Sequence, residues 1–173
     1  TWVLDPRDRT KLIRIWTGDI EIHISADVAL GIWKYWKATG DAEFLLERGA
    51  EVILETARFW GSRVEWDEEH QRYEISDIIG PDEYHDHVDN NAYTNALARW
   101  NLQKALDLKD WLEASYPAEW KKINRRVRLK PAELKHWQHV IDHMYVPYDP
   151  QTKLVEQFEG YFQRRDVDLA ALE

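Results

Sequence analysis

The sequence predicts an all-α fold in which helices make up more than half of the 173 residues. Three observations support this prediction. Apolar side chains recur three to four positions apart over several long segments, as on the buried face of a helix. Turn and capping residues separate those segments. A proline stands near the start of two of them, where a helix tolerates it. Strands are expected only in short segments near residues 73–79 and 145–161.

The first half of the chain contains two predicted helical segments. The apolar residues of 20–39 fit one helix, and the sequence Thr-Gly-Asp at 39–41 ends it and caps the next. The second segment runs over 41–64 as an amphipathic helix that is expected to be interrupted at Gly49. A polar run then leads into 73–79, which is typical of a short strand or extended arm.

The second half is predicted to begin with a turn and to continue as helices. Gly80-Pro81 indicates the turn, and Asn90 or Asn91 would cap the long helix that follows. Two further helical segments are expected at 117–129 and 131–144, followed by an irregular, extended tail over 145–161.

The composition argues against several classes of function. A net charge of −9 is unfavourable for binding a phosphate backbone, and the basic cluster at 121–130 is interpreted as an exposed helix face. No apolar run approaches the ~20 residues that span a bilayer. Cysteine is absent, which is compatible with a reducing compartment, so we expect a cytoplasmic protein without nucleic-acid or membrane partners.

The run 80–100, GPDEYHDHVDNNAYTNALARW, concentrates acidic, imidazole and amide side chains. It could be a solvated loop, a metal site or a proton-donating site. His85, His87 and Asp89 have the HxHxD spacing of binuclear hydrolases, but Asn90 stands where a ligand for a second metal would be needed. We therefore expect no metal. The stripe of histidines at 136–143 is interpreted as helix surface or packing.

A general acid is the second chemical interpretation of this run. Glu83 has Asp82 beside it and Tyr84 and His85 after it, and a neighbouring carboxylate or an apolar ring raises the pKa of a carboxyl group. Glycoside cleavage requires such an acid to protonate the leaving oxygen. The alternative is that Asp82 and Glu83 cap a helix or form surface ion pairs.

The sequence GPDEYHDHVDNNAYTNALARWNL resembles the signature of glycoside hydrolase family 65, which contains maltose, trehalose and kojibiose phosphorylases and related hydrolases. The resemblance extends to IRIWTGDIEIHISADVALGIWKYWKATGDAEFL upstream and VEQFEGYF downstream. It implies an (α/α)6-barrel catalytic domain, of which residues 1–173 would form about half. The chain begins with Thr and ends in ALE, so we expect a piece of a longer protein in which Leu172 and Glu173 come from cloning.

The resemblance also implies a reaction. Glu83 would be the general acid, and a bound inorganic phosphate would attack the anomeric carbon from the opposite face and invert its configuration. The expected partners are a disaccharide and phosphate, with phosphate as co-substrate and no cofactor. The phosphate-binding residues would lie beyond residue 173, so the isolated chain is expected to be inactive. An incomplete ring of helices would also expose apolar surface and favour a homo-oligomer.

Further residues are candidates for binding the sugar. By the same resemblance, Trp16 would offer a stacking surface, and Glu21, His23 and Asp27 would bind sugar hydroxyls. The alternative for Asp27 is a cap or pair within its own helix. The candidates within the motif itself are Asp82, Tyr84, His85, Asn90 and Asn91.

Two rival functions stay open at this stage. The first is hydrolysis of the same bond with water as nucleophile. The second is a carbohydrate-binding helical domain without catalysis. Ten Trp and eight Tyr are compatible with sugar binding, although packing between helices is the simpler explanation for most of them.

Overall fold

Helices make up more than half of the computed structural model, which describes residues 2–165, and the prediction of a mainly helical fold is confirmed. A π-helical turn, Leu45–Gly49, connects the helix that ends at Phe44 with the helix that begins at Ala50, so the chain is helical throughout 42–63. Leu172 and Glu173 lie outside the described residues. The helices are α1 (Thr17–Ile20), α2 (Ile24–Thr39), α3 (Ala42–Phe44), α4 (Ala50–Arg63), α5 (Ala92–Ser115), α6 (Pro117–Val127) and α7 (Pro131–His143).

The strands form antiparallel two-stranded hairpins. These are β1 (Trp2–Leu4) with β2 (Leu12–Arg14), β3 (Glu65–Asp67) with β4 (Arg72–Glu74), and β5 (Tyr148–Asp149) with β6 (Leu154–Val155). The expectation that strands occur only near 73–79 and 145–161 was wrong for the first hairpin and for β3. Within 73–79, the regular strand ends at Glu74, because the chain then leaves β3 and Ile78 pairs with Val88 instead.

Side-chain caps begin two of the helical segments as the sequence predicts. Asp41 Oδ1 accepts a hydrogen bond from the backbone N–H of Phe44 at 2.9 Å. Asn91 Oδ1 accepts from the N–H of Thr94 at 3.1 Å, so Asn91 rather than Asn90 caps α5. Prolines occupy the first positions of α6 and α7. Each cap satisfies a backbone donor that the first helical turn leaves free.

Gly49 does not interrupt the second helical segment, and this prediction was wrong. Its φ is −63°, and the chain stays helical through the π-helical turn into α4. A Cβ at Gly49 would lie 2.8 Å from Cγ2 of Ile32 in α2. The glycine therefore permits the close approach of two helices, a requirement that sequence periodicity does not reveal.

The core is organised around α5, which packs against α2, α4, α6 and α7, while α4 also contacts α2, α6 and α7. Large side chains that are fully buried at these contacts include Trp60, Trp137, Ile53, Leu102 and Leu108. Most of the other tryptophans pack against this core, as the simpler explanation predicts. They are Trp33, Trp36, Trp66, Trp100, Trp111 and Trp120.

The β1–β2 hairpin carries apolar side chains that face solvent, among them Trp2, Leu4 and Leu12, which are 57–61% exposed. Self-association through such surfaces stays a prediction. None of the helices within residues 2–165 has the length and apolar character needed to cross a bilayer.

Candidate active site

The predicted catalytic motif forms a loop that is closed at its base. Ile78 and Val88 exchange two backbone hydrogen bonds, of 3.0 Å and 2.9 Å, and residues 79–87 form the loop between them. Below this closure, the N–H of Asn90 donates to the carbonyl of Ile75 at 2.8 Å. Glu83 lies at the middle of the loop. The sequence thus places its candidate acid on a loop with a firmly hydrogen-bonded base.

Three non-glycine residues around this loop have left-handed backbone conformations. Asp77, His87 and Asn90 have φ of 53°, 52° and 52°. Asn, Asp and His are the side chains that occupy this region most often. Such conformations cluster where a loop is held for a function, and here they bracket the base of the motif loop.

Gly80 is fixed against the start of α5. A Cβ at this position would lie 2.2 Å from Nδ2 of Asn91 and 2.6 Å from its Cγ. No side chain fits in this space, so the turn predicted at Gly80-Pro81 also requires a glycine for close packing. The amide of Asn91 in turn donates to the carbonyl of Gln157 at 3.1 Å.

Asp82 accepts three hydrogen bonds. Its Oδ1 accepts from the N–H of Tyr84 at 3.0 Å, and its Oδ2 lies 2.7 Å from Nδ1 of His85 and 2.6 Å from Nε2 of Gln157. The amide of Gln157, the backbone N–H of Tyr84 and the ring of His85 hold the pKa of Asp82 below its ordinary value of 3.8. Asp82 is therefore ionised at neutral pH and acts as an acceptor.

Glu83 is exposed at the tip of the loop. The ring of Tyr84 is 96% exposed, so it does not supply the apolar cover that the sequence predicts for the acid. The bond from the N–H of Tyr84 to Asp82 forms a local turn at the tip, and the sequence does not show on which side of this turn the ring lies. Of the two adjacent carboxylates, Asp82 is held by neighbouring donors and Glu83 faces outward.

The HxHxD residues bond to two aspartates of the same region, Asp82 and Asp77. His85 contacts Asp82, while His87 Nδ1 contacts Asp77 and Asp89 accepts from the N–H of Asp77 at 2.8 Å. The ring of His85 also packs on Phe158, with 5.2 Å between centroids. These contacts favour a role in fixing the loop.

Other histidines lie away from this loop, on the β3–β4 hairpin and on α7. In residues 2–165, Asp67, His70 and Glu74 bring ligand atoms within 4.8 Å of one another on the β3–β4 hairpin. The stripe on α7 packs as predicted, because His136 contacts the carbonyl of Gly61 at 2.7 Å and His139 the hydroxyl of Tyr73 at 3.1 Å.

The amides of Asn90 and Asn91 are used within the protein. Asn90 is 0% exposed; its Oδ1 accepts from the N–H of Ile75 and from Asn95, and its Nδ2 donates to Glu159 at 2.8 Å. Asn91 is 2% exposed and caps α5. In this conformation both amides have partners within the protein, and their binding of a sugar stays a prediction. Both hold the motif against the rest of the fold.

The upstream candidates form a network around His23, which is 7% exposed. Its Nδ1 lies 2.7 Å from Oδ2 of Asp27 and its Nε2 lies 3.1 Å from Oε1 of Glu21. Both contacts are hydrogen bonds at once only when both ring nitrogens carry a proton. Asp27 thus pairs with His23 at the start of its own helix, and its binding of a sugar stays a prediction.

Tyr93 connects this network to the motif, and sequence reasoning missed it. Its hydroxyl donates to Oδ1 of Asp27 at 2.6 Å, and its ring meets His23 edge-on, with 5.6 Å between centroids. The hydrogen bond to Asp27 raises the pKa of Tyr93 above its ordinary value of 10.0. The position of Tyr93 in the first turn of α5, directly after the motif loop, was a possible indication of a role. Its partner Asp27 lies 66 positions earlier, so the sequence does not show the contact.

Trp16 lies between the upstream segment and the motif loop. The guanidinium of Arg14 is 4.1 Å from the centroid of its ring, and His87 meets the ring edge-on at 4.7 Å. Stacking of a sugar on the face that Arg14 covers would require this arginine to move. The predicted stacking role stays a prediction.

A groove of about 420 Å³ runs beside the motif loop, and its lining includes Asp82, Tyr93, Gln157 and Tyr161. This volume lies within the roughly 300–1,000 Å³ of small-molecule sites. A larger groove of about 670 Å³ beside α4 is lined by residues such as Glu47, Glu51 and Phe59. We favour the smaller groove, because polar groups of the motif converge on it.

The downstream segment 156–161 contributes site residues that sequence reasoning did not single out. Gln157 donates to Asp82, and Glu159 accepts from Asn90. Burial raises the pKa of Glu159, but the hydrogen bonds from Asn90 and Arg72 together outweigh burial, so the pKa lies below its ordinary value. The stretch VEQFEGYF could have indicated these residues, because it is part of the family resemblance, but no residue in it was assigned a role.

Comparison with known proteins assigns the chain to a family. The sequence profile of the glycosyl hydrolase family 65 central catalytic domain matches residues 4–173. The chain is 53% identical to the kojibiose phosphorylase of Caldanaerobacter subterraneus subsp. tengcongensis, over 89% of this chain and 20% of that protein. It is 33% identical to the α,α-trehalose phosphorylase of Thermoanaerobacter brockii, over 87% of this chain and 20% of that protein.

A solved structure agrees with these matches. A candidate kojibiose phosphorylase from the human microbiome superposes with a TM-score of 0.75 at 27% identity, over 86% of this chain and 21% of that chain. This chain spans about a fifth of the length of the curated relatives that it matches. The chain belongs to glycosyl hydrolase family 65, and residues 4–173 are a segment of that family's central catalytic domain.

Proposed function

We propose that this chain is part of a disaccharide phosphorylase that cleaves an α-glucosidic bond with inorganic phosphate. The observation that carries the proposal is its 53% identity to a kojibiose phosphorylase over 89% of its own length. Kojibiose is accordingly the first disaccharide to test, since the likeness to a trehalose phosphorylase is lower, at 33%. The remainder of the active site would be supplied by the rest of the enzyme.

The adjacent carboxylates divide their roles in this proposal. Asp82 accepts three hydrogen bonds, and these donors lower its pKa, so its oxygens serve as acceptors and it is unsuited to donating a proton. Glu83 projects from the loop tip, next to a groove lined by Asp82 and Tyr93. We assign the general acid to Glu83.

The reaction then follows from one proton transfer and one substitution. The protonated carboxyl of Glu83 gives its proton to the glycosidic oxygen as the bond from this oxygen to the anomeric carbon breaks. An oxygen of inorganic phosphate forms the new bond to the same carbon from the opposite face. The products are a sugar phosphate of inverted configuration and the released sugar, and Glu83 is left as a carboxylate.

The side chains around the groove have supporting roles. Tyr93 and Asp27 are joined by a 2.6 Å hydrogen bond, and Asp27 also contacts His23. This network orients a phenol at the groove. Contacts of Glu21, His23 or Asp27 with sugar hydroxyls belong to the same proposal, and they would require these groups to exchange present partners for the substrate.

The test is Glu83→Gln in the full-length enzyme, because Gln keeps the shape of the side chain and removes the proton. Loss of a general acid lowers the rate by ~10²–10⁴-fold. Phosphorolysis of the disaccharide should fall by this factor, while turnover of α-glucosyl fluoride should change little, because fluoride leaves without a proton. Glu69→Gln, the same change at an exposed position of the β3–β4 turn, is the matched control.

The products of the same assay test the reaction class. A sugar phosphate that appears only with phosphate supports phosphorolysis, whereas free glucose without phosphate indicates hydrolysis. Wild-type rates for Glu83→Gln would refute the assigned acid. Disaccharide binding without turnover by the unmodified full-length enzyme would indicate a carbohydrate-binding domain instead.

A further inference from the structure

The tip of the motif loop is attached to the rest of the fold through Asp82. Two of the donors to this carboxylate, the N–H of Tyr84 and the ring of His85, come from the loop itself. The third is Nε2 of Gln157, which lies 75 positions further along the chain and donates to Oδ2 at 2.6 Å. The first two bonds shape the loop, and the third connects it to another segment.

Gln157 is itself fixed at the start of α5. Its carbonyl accepts from the N–H of Ala92 at 3.0 Å and from Nδ2 of Asn91 at 3.1 Å. Its neighbour Phe158 is 3% exposed and packs on the ring of His85. The backbone of Gln157 thus belongs to the rigid helix end, and its side chain reaches across to the loop.

These contacts define the position of the loop tip relative to the helices. Gly80 packs on Asn91 on one side of the tip, and Asp82 is held by Gln157 immediately before Glu83. A hydrogen bond to an ionised acceptor is stronger than one between neutral groups. The bond therefore restrains the backbone one residue from the proposed acid.

We propose that Gln157 is a positioning residue for the general acid, which holds Asp82 and thereby the loop tip with Glu83 against the start of α5. This inference rests on the proposed function of Glu83. Gln157 acts through Asp82 and transfers no proton itself. Its removal should impair the step that needs the acid more than a step that does not.

The first experiment replaces Gln157 by Met in the full-length enzyme, because Met has a similar length and cannot donate a hydrogen bond. Misplacement of a catalytic group by 1 Å can cost ~10²-fold in rate. We expect kcat for the disaccharide to fall by about 10- to 100-fold on this basis, with KM changed by less than about threefold. Turnover of α-glucosyl fluoride should stay within about threefold, since its leaving group needs no proton.

A matched control is available in α5. Gln103 is partly buried and donates to Asp107 at 2.9 Å, so Gln103→Met removes the same kind of bond away from the motif. It should leave both rates unchanged. If Gln157→Met does not yield folded enzyme, Gln157→Glu keeps the shape of the side chain, lacks the amide donor and should show the same selective loss.

A double-mutant cycle tests whether Gln157 acts through Asp82. In the Asp82→Leu background, which keeps the shape of the side chain and has no acceptor for Gln157, the effect of Gln157→Met on disaccharide turnover should shrink to less than about threefold, because coupled residues do not contribute additively. Equal losses on both substrates, or an undiminished loss in that background, would overturn the positioning role. Wild-type kinetics for Gln157→Met would also overturn the positioning role. If Glu83→Gln still lost activity, the proposed function of Glu83 would stand without it.

Discussion

Gly80→Ala should destabilise the fold, because the new Cβ would collide with Asn91. The ideal Cβ position is 2.2 Å from Nδ2 and 2.6 Å from Cγ of Asn91. Contacts below 3.0 Å require one partner to shift. Gly80 is buried and belongs to the motif loop, so we expect the Asn91 side chain to move.

The magnitude follows from the hydrogen bonds that Asn91 would lose. Its Oδ1 caps α5 at the N–H of Thr94, and loss of such a cap costs about 1 kcal/mol. Its Nδ2 donates to the carbonyl of Gln157, and a hydrogen bond of this kind contributes about 1 kcal/mol. Gly80→Ala should therefore lower the free energy of unfolding by about 2 kcal/mol, the sum of the two losses.

Urea denaturation of the 173-residue chain, followed by circular dichroism and tryptophan fluorescence, measures this change. Gly31→Ala is the matched control, since Gly31 lies within α2 and a Cβ there would meet nothing within 4 Å. An alanine in a helix interior should stabilise by roughly 0.5–1 kcal/mol. A Gly80→Ala variant within about 0.5 kcal/mol of the parent would refute the reasoning, since the cap alone is worth about 1 kcal/mol.

Two further predictions concern charged groups. The donors to Asp82 hold its pKa in the folded state below the ordinary value of 3.8. Ionised Asp82 therefore stabilises the fold at pH values above 3.8, and this stabilisation is lost as the pH falls through the lower pKa of the folded state. Urea midpoints should therefore decline on acidification, and less steeply in Asp82→Asn; parallel pH profiles would contradict this. Arg58→Gln should cost about 2 kcal/mol in the same assay, because Arg58 donates to Glu133 at 2.7 Å and to the carbonyl of Val127 at 2.6 Å. The exposed pair of Lys122 with Glu119 is the control, and Lys122→Gln should cost less than about 0.5 kcal/mol; equal costs would contradict the argument.

The sequence predicted the helices well, because helix boundaries depend on local signals. Asp41, Asn91 and the prolines at the starts of α6 and α7 act within one turn of their own position, and a single sequence displays them. The prediction at Gly49 was wrong because the role of this glycine depends on a distant residue. Its role is to allow contact with Ile32 in another helix, and the local sequence cannot distinguish such a glycine from a break.

The candidate site was predictable only in part, because its parts come from distant segments. Spacing and resemblance identified the loop and its acidic pair. The hydrogen bonds that hold them reach from Asp82 to Gln157, from Asn90 to Glu159 and from Tyr93 to Asp27. Each joins residues more than 60 positions apart, and no periodicity in the sequence indicates such a pairing.

The adjacent carboxylates show how tertiary contacts separate two groups that the sequence places side by side. Neither composition nor spacing decides whether Asp82 or Glu83 would carry the proton. The bond from Gln157 argues against Asp82, since three donors occupy the oxygens of this carboxylate and hold its pKa below the ordinary value. In the proposed function the proton comes from Glu83, whose side chain is exposed at the loop tip. In the proposed positioning role, the place of the acid depends on Gln157, which lies 75 positions from Asp82, and an alteration of Gln157 tests that positioning separately from the assignment of Glu83.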